Sequence, residues 1–295
     1  MGRLQNSIDI AKSSWNVLRE DKHLAVLPLL SALSALVVAL LFFGPVALIA
    51  HNGAQGSSKP LAWILGVVGY LVVTFVVVFF NAALVFAADK RLRGEPVTIG
   101  EAVHAAGARA HVLLPWAVLS ATVSLVLRAI EERSGIVGRI VGSLIGLAWA
   151  LVTFLVLPVL VVEQCGPIEA VKRSAALFKR TWGENMIANA GIGLVALAAT
   201  FVGVIPCLLL VAVGGPVGGI GIALAVAWVI GVQLVAATLT GIFQIALYRF
   251  ATDGTVPGFD DDKLRAAFRP RRSRGGFGGL GGFGGGGFGG PTSSN

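Results

Sequence analysis

The chain has 295 residues, 56% of them hydrophobic and 13% charged, with a formal net charge of +8. A soluble domain carries about a quarter charged residues, so this composition excludes an ordinary water-soluble fold. Apolar runs of roughly 18 or more residues read as membrane helices, and six occur, at about 24–50, 61–88, 112–129, 136–162, 186–213 and 217–248. From Met186 to Tyr248 there is no Asp, Glu, Lys, Arg or His. The expected fold class is all-α, a polytopic bundle of six transmembrane helices with three interfacial amphipathic helices. The first apolar run is too long for a secretory h-region of about 7–15 residues and stays as a span.

Residues 1–23 form the first expected element, an amphipathic cytoplasmic helix. Leu4, Ile8, Ala11, Trp15 and Leu18 recur at four and three residues, which places them on one helical face. The membrane domain follows over 24–250. His51 to Pro60 is a short polar turn between spans one and two, and Asn81 is the main polar residue of span two. Residues 89–110 repeat the amphipathic device. Thr98 and Glu101 have the spacing of a capping box, and Ile99, Val103, Ala106, Ala110 and Leu113 continue as a stripe. His104 and His111 are seven apart and read as interfacial, because a metal site needs closer spacing and a further ligand. No cofactor is expected.

Span four carries Gly138, Gly142, Gly146 and Ala150 on one ridge, read as close packing within the chain rather than a dimer seam. Pro28, Pro115, Pro158 and Pro206 lie in or near four spans, and each can kink its helix. Glu163 to Trp182 is the third amphipathic stretch, with Ile168, Val171, Ala175, Phe178 and Trp182 on one face. Gly166 suits its N-cap and Pro167 its first helical position. A basic helix of this kind between two spans is expected in the membrane surface, apolar face down. Trp15, Trp116 and Trp182 stand near the starts of odd-numbered spans, where aromatic anchors belong. The three helix-plus-hairpin units suggest an internal repeat.

The last hairpin turns at Gly214-Gly215-Pro216. Span six has Gly215, Gly219, Ala223, Ala227 and Gly231 on one ridge, with Gln233 and Gln244 as its polar residues. Residues 251–274 are a basic cytoplasmic segment ending in RPRRSR. Residues 275–295 are Gly- and Phe-rich and are expected to be disordered, because ordering glycine costs too much entropy.

Nineteen of the 23 basic residues fall before span one, between spans two and three, between spans four and five, or after span six. Basic residues stay cytoplasmic. The expected location is therefore the plasma membrane, multi-pass, with both termini inside. Asp89 and Glu163 close spans two and four at corresponding places, and read as helix caps or partners of nearby Arg. Cys165 and Cys207 read as two unpaired thiols, since no CxxC or Cys/His spacing exists.

Four segments, NAALVFAADKRLRGEP (81–96), LPWAVLSATVSLVLRAIEER (114–133), LVLPVLVVEQCGPIEAVKRSAALFKRTWGE (155–184) and ALYRFATDGTVPGFD (246–260), resemble a prokaryotic family of six-span membrane proteins of unknown function. The resemblance covers roughly residues 5–270 and excludes the Gly-rich tail. It implies six spans and no established activity, so it carries over no functional residues.

No catalytic constellation is present: no paired acids within spans, no HExxH, no GxSxG, no phosphate-cradling loop. Ion-coupled transport places ionisable groups inside the membrane, and these spans are nearly free of them. The preferred expectation is a non-enzyme whose basic collar contacts anionic lipid headgroups or a partner protein. The collar residues are Lys12, Arg19, Arg91, Arg93, Lys172, Arg173, Lys179, Arg180, Arg269, Arg271, Arg272 and Arg274. The alternative is an uncoupled transporter, channel or lipid-handling protein, with Asn81, Gln233 and Gln244 as intramembrane polar groups. A nucleic-acid role is disfavoured, because Arg274-Gly275-Gly276 is a lone RGG and genuine segments repeat it.

Overall fold

The structure is a computed structural model that describes residues 22–51, 58–133, 135–181 and 185–253. The expected helix 1–23 (apart from a short 3-10 turn, Lys22–Ala25), the basic segment after Asp253 and the Gly/Phe-rich tail lie outside those residues. So do Trp15 and Trp182. Among the described residues nine α-helices follow the 3-10 turn: α1 (Val26–His51), α2 (Ser58–Leu92), α3 (Ile99–Ala108), α4 (Ala110–Arg133), α5 (Gly135–Thr153), α6 (Val156–Glu163), α7 (Pro167–Thr181), α8 (Asn185–Val213) and α9 (Gly215–Asp253). No strand occurs among the described residues. Six segments of the described residues are long and apolar enough to cross a membrane: α1, α2, α4, the α5–α6 pair, α8 and α9.

The spans are paired as three hairpins, α1 with α2, α4 with α5, and α8 with α9. Helix α2 is the hub, touching α1, α3, α4, α6 and α9, whereas α8 packs chiefly on α9. Close approach is made at small residues. A side chain at Gly241 of α9 would collide with Leu84 of α2, and one at Gly221 would collide with the Cys207–Val211 stretch of α8. The ridge on α5 also packs within the chain, with Gly142 against Glu131 and Gly146 near Leu127. The sixth-span ridge behaves differently. Gly219 and Gly231 meet nothing, and the α8 contact runs instead through Gly218 and Gly221.

Span four is not continuous. It breaks at Phe154 and Leu155, between α5 and α6. Pro158 lacks an N–H and its ring crowds the carbonyl one turn back, at Phe154. The groups set free at the break are met from outside the helix. Ser174 of α7 accepts from the Leu155 N–H at 3.1 Å and donates to the Val152 carbonyl at 2.6 Å. Pro115 and Pro206 sit inside unbroken helices, and Pro28 lies in the first turn of α1, where a missing N–H matters little.

This bond set rotates α7 away from the face expected of it. Ala170, Ser174, Leu177 and Phe178 are buried, while Ile168 is 66% exposed. The helix lays its inner face on α4, α5, α6 and α9 rather than offering an apolar stripe to lipid. Ser174, counted as polar in the sequence, is at 0% exposure the centre of that buried face. Trp116 is also not an interfacial anchor. It is buried and stacks on Trp149, with ring centroids 6.1 Å apart.

Candidate functional site: a polar collar at the basic end

The buried core gathers at one end of the bundle. It contains the start of α1, residues 78–92 of α2, α3, the start of α4, α6, α7 and residues 242–248 of α9. All the described basic clusters belong to this end. Here the polar groups tie the three hairpins to one another.

Asp89, near the end of α2, is 4% exposed. Arg249 of α9 grips it with both prongs, Nε to Oδ1 at 2.7 Å and Nη2 to Oδ2 at 2.9 Å. The planar guanidinium suits this two-point contact. Arg93, just past the end of α2, contacts Oδ2 as well, and Arg249 reaches Asp253 at 3.2 Å. This joins the first hairpin to the third.

Glu163 ends α6. The hydroxyl of Tyr248 donates to its Oε1 at 2.9 Å, and Arg173 of α7 reaches the same oxygen at 3.3 Å. This joins the third hairpin to the second. Arg109 closes the circuit from the foot of α4. Its Nε donates to the Val161 carbonyl and its Nη1 to the Ala105 carbonyl, both at 2.8 Å. Its guanidinium lies 5.3 Å from the centre of the Phe86 ring on α2, a cation–π contact. That links the second hairpin to the first.

Local sequence explains how α3 and α7 are held beside this circuit. Thr98 caps α3, accepting from the Glu101 N–H at 3.2 Å. The Glu101 carboxylate binds Lys90 of α2. That hydrogen bond, with smaller help from the charge of Lys90 and the Thr98 backbone, holds Glu101 below the usual carboxylate range. Before α7, Gln164 takes the left-handed conformation and the Gly166 carbonyl accepts the first helical bond, from Ala170. Cys165 lies in this link. Burial pushes its thiol pKa up, and the carboxylates of Glu169 and Glu163 push it further. Cys165 and Cys207 are both free thiols.

The expected headgroup residues separate into four sets. Lys12, Arg19, Arg269, Arg271, Arg272 and Arg274 lie outside the described residues. Arg93 and Arg173 are engaged by Asp89 and Glu163. Lys172 and Lys179 are exposed, seven residues apart on the outer face of α7, and form no ion pair among the described residues. Arg91 is half-buried at the end of α2, and Arg180 belongs to α7. Of the intramembrane polar residues, Asn81 and Gln244 are partly buried and Gln233 is exposed. Among the described residues no group of His, Cys, Asp and Glu could hold a metal ion, and His104 and His111 are exposed on two different helices, α3 and α4.

Sequence reasoning placed Asp89 and Glu163 beside Arg partners, but missed Arg249, Tyr248 and Arg109 as the links between hairpins. Phe86-Ala-Ala-Asp89 and Phe250-Ala-Thr-Asp253 close spans two and six alike, but that likeness does not say which hairpins meet.

The profile of a family of unknown function, DUF6159, matches residues 61–259. The chain belongs to this family. The match begins at the second span and ends just beyond α9, so it contains every residue of the polar circuit. No curated protein and no solved structure matches the chain.

Proposed function

We propose that this protein is a non-catalytic membrane component whose basic end is a cytoplasmic collar for anionic lipid headgroups. In this reading it sits in the plasma membrane with both termini inside. The observation that supports the reading most directly is Lys172 and Lys179 on the outer face of α7, exposed and without ion pairs among the described residues. Of the other described collar cations, Arg93 is held by Asp89 and Arg173 by Glu163. The free lysines have no such duty. Basic residues next to an anionic leaflet contribute about 1 kcal/mol each. The location of this end follows the rule that Lys and Arg accumulate on the cytoplasmic side.

The test is lipid retention by the full chain. The protein is extracted from membranes containing equal phosphatidylglycerol and phosphatidylcholine, and bound lipid is read by native mass spectrometry. The wild type is expected to keep phosphatidylglycerol preferentially. Replacing Lys172, Arg173, Lys179 and Arg180 by Gln together is expected to abolish that preference. An undiminished preference in the four-fold variant removes the collar reading.

A further inference from the structure

Among the described residues, no neighbour covers one exposed face of helix α9. Gly219, Ile222, Val226, Ile230, Gln233 and Ala237 recur at three and four residues, so they lie along one face, and all six are exposed. The contact with α8 is made elsewhere on the helix, through Gly218, Gly221 and Trp228, whose indole N–H reaches the Ala199 carbonyl at 3.0 Å. Lipid can cover an apolar face of this kind. It cannot satisfy Gln233.

The depth of Gln233 makes this a real difficulty. It lies sixteen residues before Arg249 and eighteen after Gly215, or roughly 24 and 27 Å of helix at 1.5 Å per residue. Gln233 is therefore about midway along the apolar run of α9, a segment long enough to cross the hydrocarbon core. Its carboxamide makes no hydrogen bond among the described residues. An amide taken from water into hydrocarbon with no partner is strongly disfavoured.

We propose that this face of α9 is the seam of a homodimer, and that Gln233 bonds Gln233 of a second copy across a two-fold axis. A carboxamide carries both a donor and an acceptor. Two of them facing each other across a two-fold axis satisfy one another, because such an interface pairs each patch with itself. No differently built partner is needed to supply a complementary group. The rest of the seam suits close helix contact. Gly219 and Ala237 leave room for backbones to approach at either end, and Ile222, Val226 and Ile230 give branched packing between them. The three–four spacing is that of a left-handed pair crossing near +20°.

The experiment uses the full chain in phosphatidylcholine vesicles, diluted stepwise in lipid, with the dimer fraction read by single-molecule photobleaching. Wild type is expected to shift from dimer to monomer on dilution. Gln233→Leu, which hydrocarbon tolerates, should weaken the dimer roughly three- to thirty-fold, the range of interhelical hydrogen bonds in bilayers. Gln233→Asn should restore part of the loss. In a Cys165→Ser, Cys207→Ser background, Ile230→Cys should cross-link on oxidation, and Leu147→Cys, exposed on α5, should not. A wild type monomeric at every density overturns the proposal. So does a dimer that Gln233→Leu leaves unchanged, or one that cross-links equally well through residue 147.

Discussion

Replacing Asp89 by Ala tests whether the polar circuit holds the hairpins together. The carboxylate is 4% exposed and receives both prongs of Arg249 from a helix 160 residues away. Breaking a buried pair by removing one partner costs about 3–5 kcal/mol, because the other charge is left stranded. The low end applies here. Arg249 retains Asp253, and Arg93 is half-exposed and can turn to water. The expected loss is therefore about 3 kcal/mol. Glu163 gives the internal comparison. Its contact with Arg173 is a single one at 3.3 Å, between side chains 28% and 54% exposed, and such pairs contribute about 0–1 kcal/mol. Arg249→Lys should fall between the two, since an ammonium cannot make the forked contact. The assay is reversible unfolding of the full chain in bicelles by SDS titration, followed by tryptophan fluorescence. Asp89→Ala and Arg173→Ala costing the same within about 0.5 kcal/mol would refute the assignment of the circuit's strength to Asp89.

Ser174→Ala leaves the Leu155 N–H and the Val152 carbonyl without their partner. At about 1–3 kcal/mol for each buried group, a loss of about 2–6 kcal/mol is expected in the same titration. The loss should shrink in a Pro158→Ala background, where span four can close its own bonds; equal losses in both backgrounds would sink the capping role. Cys165, in a Cys207→Ala variant, should alkylate slowly near neutral pH. Its rate should rise with a midpoint above the usual thiol value of about 8.5, because burial and two carboxylates disfavour the thiolate. A midpoint at or below that value would contradict the environment described. Glu169→Gln should move the midpoint down.

The six spans are legible in the sequence because lipid imposes one requirement at a time: enough apolar residues, with every backbone group bonded inside the helix. Span boundaries shift by only a few residues between reading and structure. The break in span four is the instructive exception. Four prolines look alike in sequence, yet only Pro158 coincides with a break. What distinguishes it is Ser174, sixteen residues further on and in a different helix. The same serine hid the true face of α7, since periodicity treats a hydroxyl as a surface residue, whereas here it is buried to satisfy a neighbour. Trp116 was misjudged for a related reason. An aromatic residue near a span end has two uses, an anchor in the headgroups or a ring in the core, and only the presence of Trp149 decides between them. Arg249 was invisible as a partner of Asp89 because one-dimensional pattern carries no information about which hairpins meet.

The uneven distribution of packing follows from the same physics. In lipid, apolar side chains gain nothing by leaving the solvent, so helices associate through close backbone contact and directional polar bonds. Both are concentrated at the basic end. Residues 78–92 of α2, 112–117 of α4 and 242–248 of α9 supply much of the buried core, while Trp63, Val126, Ile220 and Ile230 at the far end or middle of their spans are exposed. Asp89, Glu163 and Arg109 fix three hairpins against one another there, and no equivalent circuit occurs among the described residues at the other end. The far halves of the spans are consequently held by their own hairpin partners and by whatever lies outside the chain. Gln233, outward-facing and without a hydrogen bond among the described residues, is a polar group in this loosely tied region that lipid cannot satisfy. The second copy is thus placed where the single chain provides least of its own support.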